Sequence, residues 1–189
     1  RSPAAGTGYG LVLAPPGSDR MFFEDPGCNA RFGAECVDFE ALAGCRIFHF
    51  GYPTLMERMY RDGGRELREL LSAARAHGAA TSLDMTLPDP SSAAGRADWA
   101  AILDAVLPMT DLFLPSLEEL IFLMTPDRYA RLLAEAGGGD VLDSVPRDWV
   151  EELGARILAK GVAVLMIKAG HRGAYLRTGD VGRLAPSLG

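Results

Sequence analysis

From residue 37 onward, short apolar runs alternate with stretches of helical periodicity. Arg46–Phe50 (RIFHF) is an apolar run that predicts a buried strand, ended by Gly51-Tyr52-Pro53. Thr54–Tyr60 predicts the start of a helix, and Gly64–His77 a clear one. In the latter, Leu67, Leu70, Leu71 and Ala74 recur at the spacing of one helix face, while Arg65, Glu66, Arg68 and Glu69 point away from it. Gly78 is its stop signal. Ala80–Asp84 (ATSLD) predicts a second strand, followed by a Pro/Ser/Gly-rich loop over Pro88–Gly95. A helix over Asp98–Leu107 stops at Pro108, and Asp111–Leu114 (DLFL) is a third strand. Helices are predicted over Ser116–Met124, Asp127–Ala136 and Pro146–Lys160, the last with Trp149, Leu153 and Ile157 on one face. Val162–Lys168 (VAVLMIK) is a continuous apolar strand, as a central parallel position requires. Ala174–Arg177 and Arg183–Ala185 predict a closing hairpin around Thr178-Gly179-Asp180.

The opening stretch is patterned differently. Tyr9–Ala14 and Arg20–Glu24 are β-prone, and Pro15-Pro16-Gly17-Ser18-Asp19 between them has turn chemistry. Residues 1–32 therefore predict a β-hairpin flap, and residues 33–189 an α/β core. Four strands alternating with helices predict a parallel sheet with helices on both faces.

Composition narrows the function classes. The chain has 189 residues, 48% of them hydrophobic, enough to bury a real core. Its net charge of −6 argues against a nucleic-acid binder, which needs a basic stripe. No apolar run approaches the ~20 residues of a membrane span, and Arg1–Gly10 has no signal-peptide core. Cys28, Cys36 and Cys45 are odd in number and lack metal-ligand spacing, which predicts reduced thiols and a cytoplasmic protein.

Open α/β sheets bind ligands beyond the carboxyl ends of their strands. Those ends here are Gly51-Tyr52-Pro53, Asp84, Pro115-Ser116 and Lys168-Ala169-Gly170. Asp84 is a carboxylate directly after an apolar strand, suited to a ligand or to capping the following loop. Ser116 and Glu119 have capping-box spacing; that satisfies them structurally, and Glu119 also suits a water-mediated contact to a magnesium-bound phosphate. Lys168 can meet a phosphate or reach water, and Gly170 and Gly173 permit close approach of a flat ligand. His49, inside a strand, predicts a satisfied core or interface histidine. His77 ends a helix, and His171 sits in the turn after Gly170, within reach of a ligand. Gly137-Gly138-Gly139-Asp140 follows a helix rather than a strand and lacks GK[ST], so it reads as a connector rather than a phosphate loop.

In order and spacing, a set of segments resembles the ribokinase-like (PfkB) carbohydrate kinase family. They are Thr7-Gly8-Tyr9 through Gly17-Ser18-Asp19-Arg20 (lid strands with a G-x-R turn), Gly27-Cys28-Asn29-Ala30 (a GANA-like segment), RIFHFGYP at 46–53, TSLD at 81–84, DLFLPSLEE at 111–119 and IKAGHRG at 167–173. The resemblance implies ATP-dependent phosphorylation of a sugar or nucleoside-like hydroxyl, with Mg2+. It implies substrate contacts at Asn29, Gly51, Tyr52 and Asp84, and nucleotide contacts at Lys168, Gly170 and Gly173. Ser116 and Glu119 would fall on the N-x-x-E motif near phosphate and metal, Glu119 reaching the metal through water. Two departures stand out: Ser116 replaces the motif's asparagine, and neither the N-terminal Gly-Gly sugar motif nor the C-terminal D-T-x-G-A-G-D motif is present. The catalytic base is thus expected outside these 189 residues, the chain being an incomplete part of a kinase and inactive by itself.

Two alternatives follow: a non-catalytic sugar- or nucleotide-binding member of the same fold, or a structural α/β interaction domain with Asp84, Glu119 and Gly170 scattered. Leu11, Leu13, Phe22 and Phe23 form too large an apolar surface for a bare two-stranded flap, which predicts a homodimer through the hairpin.

Overall fold

The computed structural model describes residues 5–17 and 20–184. Two sheets are present among them. The first is an antiparallel hairpin of β1 (Tyr9–Leu13) and β2 (Met21–Asp25), as the opening pattern predicts; positions 18–19 of its turn lie outside the described residues. Pairing Leu11 with Phe23 and Leu13 with Met21 places these four side chains on one face, while Val12 and Phe22 pair on the other. All ten strand residues are exposed.

The second sheet has five strands in chain order: β3 (Ile47–Phe50), β4 (Ala80–Leu83), β5 (Leu112–Phe113), β6 (Val164–Lys168) and β7 (Ala174–Thr178). The first four are mutually parallel, and β7 runs antiparallel to β6. Helices α1 (Glu57–Tyr60) and α2 (Arg65–Ala76) connect β3 to β4, and α3 (Trp99–Val106) connects β4 to β5. Helices α4 (Leu117–Met124), α5 (Pro126–Ala136) and α6 (Arg147–Leu158) lie between β5 and β6. The helix starts follow local chemistry. Asp98 caps α3 by accepting from the Ala101 amide, and α4 opens with a complete capping box. The predicted faces are the buried ones: Leu67, Leu70, Leu71 and Ala74 in α2, and Trp149, Leu153 and Ile157 in α6.

Cover on the sheet is unequal. Leu83, Phe113, Leu165 and Ile167 join the buried helix residues in one large apolar cluster. Alternate positions such as Ala80, Leu112 and Val164 join a small cluster with Ala163 and Leu184, the last from a 3-10 turn over Val181–Leu184.

Two expectations change. The closing hairpin does not form: β7 pairs with β6 through five residue pairs, and Val181–Leu184 is helical, with Ala185 outside the described residues. The expected return arm is taken up instead by this 3-10 turn, which buries Leu184 against Ala80 and Ala163. Strand β3 is also only partly buried: Phe50 is in the core, but Ile47 is 47% exposed and His49 is exposed, because β3 is the edge of the sheet among the described residues. His49 is partnered all the same, its Nδ1 lying 3.0 Å from Ser82 Oγ on the adjacent strand.

Candidate functional site

A cavity of about 1100 Å3 opens between the hairpin and the C-terminal ends of the parallel strands. The hairpin contributes Tyr9, Phe22, Phe23 and Glu24. The core side contributes Tyr52 after β3, residues 85–89 and 92–94 after β4, Glu119 from α4 and Lys168 from the end of β6. Parallel strands all end on the same side of a sheet, so residues far apart in the chain converge there.

Asp84 and Lys168 meet directly: Lys168 Nζ lies 2.6 Å from Asp84 Oδ1, which also accepts from the Met85 amide at 2.8 Å. The side chain of Asp84 is 15% exposed and that of Lys168 40%, so the ammonium keeps a solvent-facing side. Lys168 is set in place by its backbone, whose amide donates to Pro115 O at 2.9 Å, and by a parallel bridge to Ser116. The Ser116 amide donates to Glu119 Oε2 at 2.6 Å, and the Glu119 amide donates back to Ser116 Oγ at 3.2 Å. Burial pushes the Glu119 carboxyl above its ordinary range, against the lowering effects of the Ser116 amide and of Lys168. Gly51 lies beside Asp84: a Cβ placed on it would rest 3.5 Å from that of Asp84.

Asn29 lines the cavity from the hinge of the hairpin. It sits in a 3-10 turn over Gly27–Arg31, against Gly8, where a Cβ would fall 2.6 Å from Pro26 O and 2.9 Å from Asn29 Nδ2. Only glycine permits that crossing.

The structure thus brings Asp84, Ser116, Glu119 and Lys168 to one rim, with Gly51, Tyr52 and Asn29 around it. Gly170 and Gly173 lie just past Lys168, in the turn between β6 and β7 and outside the cavity lining. Both have positive φ, at 58° and 92°, so their immediate role is the turn itself. Arg172 in this turn pairs with Asp140 at 2.9 Å and with Asp143, tying the Gly137–Asp140 connector to it.

Sequence reasoning missed the Pro88–Gly95 loop as a wall of the site. Asp89, Ser92, Ala93 and Ala94 line the cavity. The loop is ordered by its own polar groups: Asp89 Oδ1 accepts from the Ser91 amide at 2.8 Å, Ser92 Oγ donates to Asp89 O at 2.7 Å, and Trp99 Nε1 donates to Ala94 O at 2.7 Å. Its Asp-Pro-Ser-Ser run carried the turn signal, but nothing local marked it as facing a ligand. Thr54 was also missed; it lines the cavity and donates to Thr86 O at 3.0 Å.

Among the described residues no group of three or more His, Cys, Asp or Glu is arranged to hold a metal ion, and no helix is long and apolar enough to cross a membrane. The rim carries two carboxylates, Asp84 paired with the Lys168 ammonium and Glu119 held by the Ser116 amide, a set that fits Mg2+ held mainly by water and phosphate oxygens.

No family model matches the chain, and no curated protein matches it. Solved structures do. Fructokinase from Xylella fastidiosa with bound ATP is similar at 20% identity and a TM-score of 0.60, with 94% of this chain and 48% of that one covered. Ribokinase from Giardia lamblia is similar at 16% identity and a TM-score of 0.60, over 94% of this chain and 46% of that one. Ribokinase from Thermotoga maritima is similar at 18% identity and a TM-score of 0.54, over 93% and 46%. The likeness to these structures shows that this chain has the ribokinase-like α/β fold, over a stretch equal to about half their length.

Proposed function

We propose that the chain is the central part of an ATP- and Mg2+-dependent kinase that phosphorylates a hydroxyl of a sugar or nucleoside-like substrate. The observation that carries this is the meeting of Asp84, Glu119 and Lys168 from separate crossover units at the mouth of one hairpin-covered cavity. When bound, Mg2+-ATP supplies the phosphoryl group and the charge neutralisation that such a transfer needs.

The chain's own residues have distinct parts. Lys168 presents a half-exposed ammonium to anionic phosphate oxygens, with Asp84 holding its orientation. Glu119, fixed through the Ser116 amide, places a carboxylate where hydrated Mg2+ is favoured. Asn29, Gly51 and Tyr52 flank the acceptor side, and Gly170 and Gly173 shape the backbone on the nucleotide side. The hairpin covers the cavity and limits water, which would otherwise compete as acceptor. None of these groups is the base that takes the hydroxyl proton; that base is supplied by residues outside these 189. The exposed apolar hairpin faces, Leu11 at 56% and Phe23 at 58%, support dimerisation through the flap.

Calorimetry of the 189-residue chain with Mg2+-ATP tests this assignment. Binding that is lost in Lys168→Met is expected, with turnover across a panel of sugars and nucleosides only once the residues carrying the base are included. Absence of both binding and turnover would refute it. One observation favours a second reading, ligand binding without catalysis: Ser116 spends its hydroxyl on the capping box and stands where the motif has asparagine. Tight ligand binding without turnover by the longer protein would support that reading, and turnover would exclude it.

A further inference from the structure

Away from the strand ends, a second hollow of about 510 Å3 opens between α5 and the start of α6. Arg128 and Arg131 of α5 line it together with Ser144, and Glu135 shares the lining. Three residues apart on one helix, the two arginines lie on the same face. The Arg128 guanidinium sits 3.4 Å from the centroid of the Trp149 ring, itself buried. Such stacking fixes the plane of the guanidinium and leaves its edge N–H groups open to an acceptor in that plane. Arg131 donates from Nε to Asp127 O at 3.3 Å, so its terminal nitrogens remain available. Although acidic residues outnumber basic ones 25 to 19, neither guanidinium has a carboxylate within ion-pair distance among the described residues. Two unpaired like charges on one helix face repel each other, and a shared anion removes that repulsion.

We propose that this hollow binds a single phosphate group, either free or as the monoester of a small metabolite, between Arg128 and Arg131. Guanidinium forks match phosphate oxygens in pairs. The Glu135 carboxylate shares the wall and repels any anion, a cost that the two guanidinium groups must outweigh. Ser144 supplies a hydroxyl that can donate to the same group. The hollow is linked to the site only at a distance: Ser144 ends the 3-10 turn over Val141–Ser144 that Arg172 ties, through Asp140 and Asp143, to the turn beside Lys168.

NMR titration of the 189-residue chain, at constant ionic strength, tests the site. Inorganic phosphate is added in one series and glycerol phosphate in another. Saturable shifts of the Arg128 and Arg131 Nε–H signals and of the Trp149 indole signal are expected, with the Trp99 indole unmoved. Arg131→Gln, which leaves the Arg128–Trp149 stack intact, weakens binding about tenfold, and the Arg128→Gln/Arg131→Gln double variant abolishes it. Saturation by inorganic phosphate but not by the ester assigns a free-anion site, and tighter saturation by the ester assigns a phosphorylated metabolite. Shifts that rise without saturating, as for an adventitious ion only, overturn the proposal, as does saturable binding that survives the double variant.

Discussion

Removing the Asp111 carboxylate should destabilise the fold more than any other single polar change at the N-terminal end of the sheet. Asp111 precedes β5 and is 4% exposed. Its carboxylate accepts from Arg75 Nη2 at 2.8 Å, from Arg183 Nη2 at 2.9 Å and from the Thr81 amide at 2.8 Å. Hydrogen bonds to charged groups are each worth about 1.5–3 kcal/mol, but they share one carboxylate and do not add. Breaking a fully buried ion pair costs about 3–5 kcal/mol. Here the arginine side chains are 32% and 24% exposed and can turn partly to water, which lowers the figure. The Thr81 amide cannot turn away, and two guanidinium groups are left facing one another. We expect Asp111→Ala to lose about 2–4 kcal/mol, a large share of the ~5–15 kcal/mol typical of a folded domain. Asp111→Asn, which keeps an acceptor for the Thr81 amide, should lose roughly half as much. Arg183→Ala should lose least, about 1 kcal/mol, because Arg75 still pairs with the carboxylate. Urea denaturation at constant m-value orders the three variants by midpoint. A loss below ~0.5 kcal/mol for Asp111→Ala, the size of an ordinary surface substitution, would show that water already satisfies the cluster and refute the reasoning.

Other expectations concern the rim and the hairpin. Burial raises the Glu119 carboxyl above its unfolded value, so the folded state holds that proton more tightly and stability falls as pH rises through the interval between the two values. Glu119→Gln, which still closes a capping box, should flatten that part of the pH–stability curve while weakening Mg2+-ATP binding; an unchanged curve would contradict the burial argument. Ser116→Ala should lose about 1 kcal/mol through the missing cap. Ser116→Asn should retain the cap and bind Mg2+-ATP more tightly by calorimetry, and a fall in affinity would argue against phosphate contact at this position. Phe23→Asp, at a strand position 58% exposed, should move light scattering toward monomer if the proposed flap dimer forms. A dimer that persists would remove the hairpin as its interface.

Much of the fold was legible because it rests on short-range physics. The helix faces of α2 and α6, the Ser116–Glu119 box and the apolar run ending in Lys168 all follow from spacing within a few residues. The candidate site was legible in outline for a related reason: parallel strands present their ends on one side, so naming the strand ends named the rim. What local pattern could not supply was partnership. The residues of β3 read as buried, yet their exposure depends on how many neighbours the sheet gives them. The residues of β7 read as half of a terminal hairpin, yet their ladder partner is β6.

By itself, the sequence determined most of the elements, the apolar faces of α2 and α6, the Ser116–Glu119 cap and the polar residues at the strand ends, since periodicity and capping are properties of contiguous residues. Tertiary structure alone decided that Lys168 is paired with Asp84, 84 positions away, that the Pro88–Gly95 loop and the hairpin enclose a common cavity, and that Arg172 reaches the Gly137–Asp140 connector. Those outcomes depend on which strand ends lie side by side, and long-range pairing of charges and walls is set by chain topology rather than by any local run of residues.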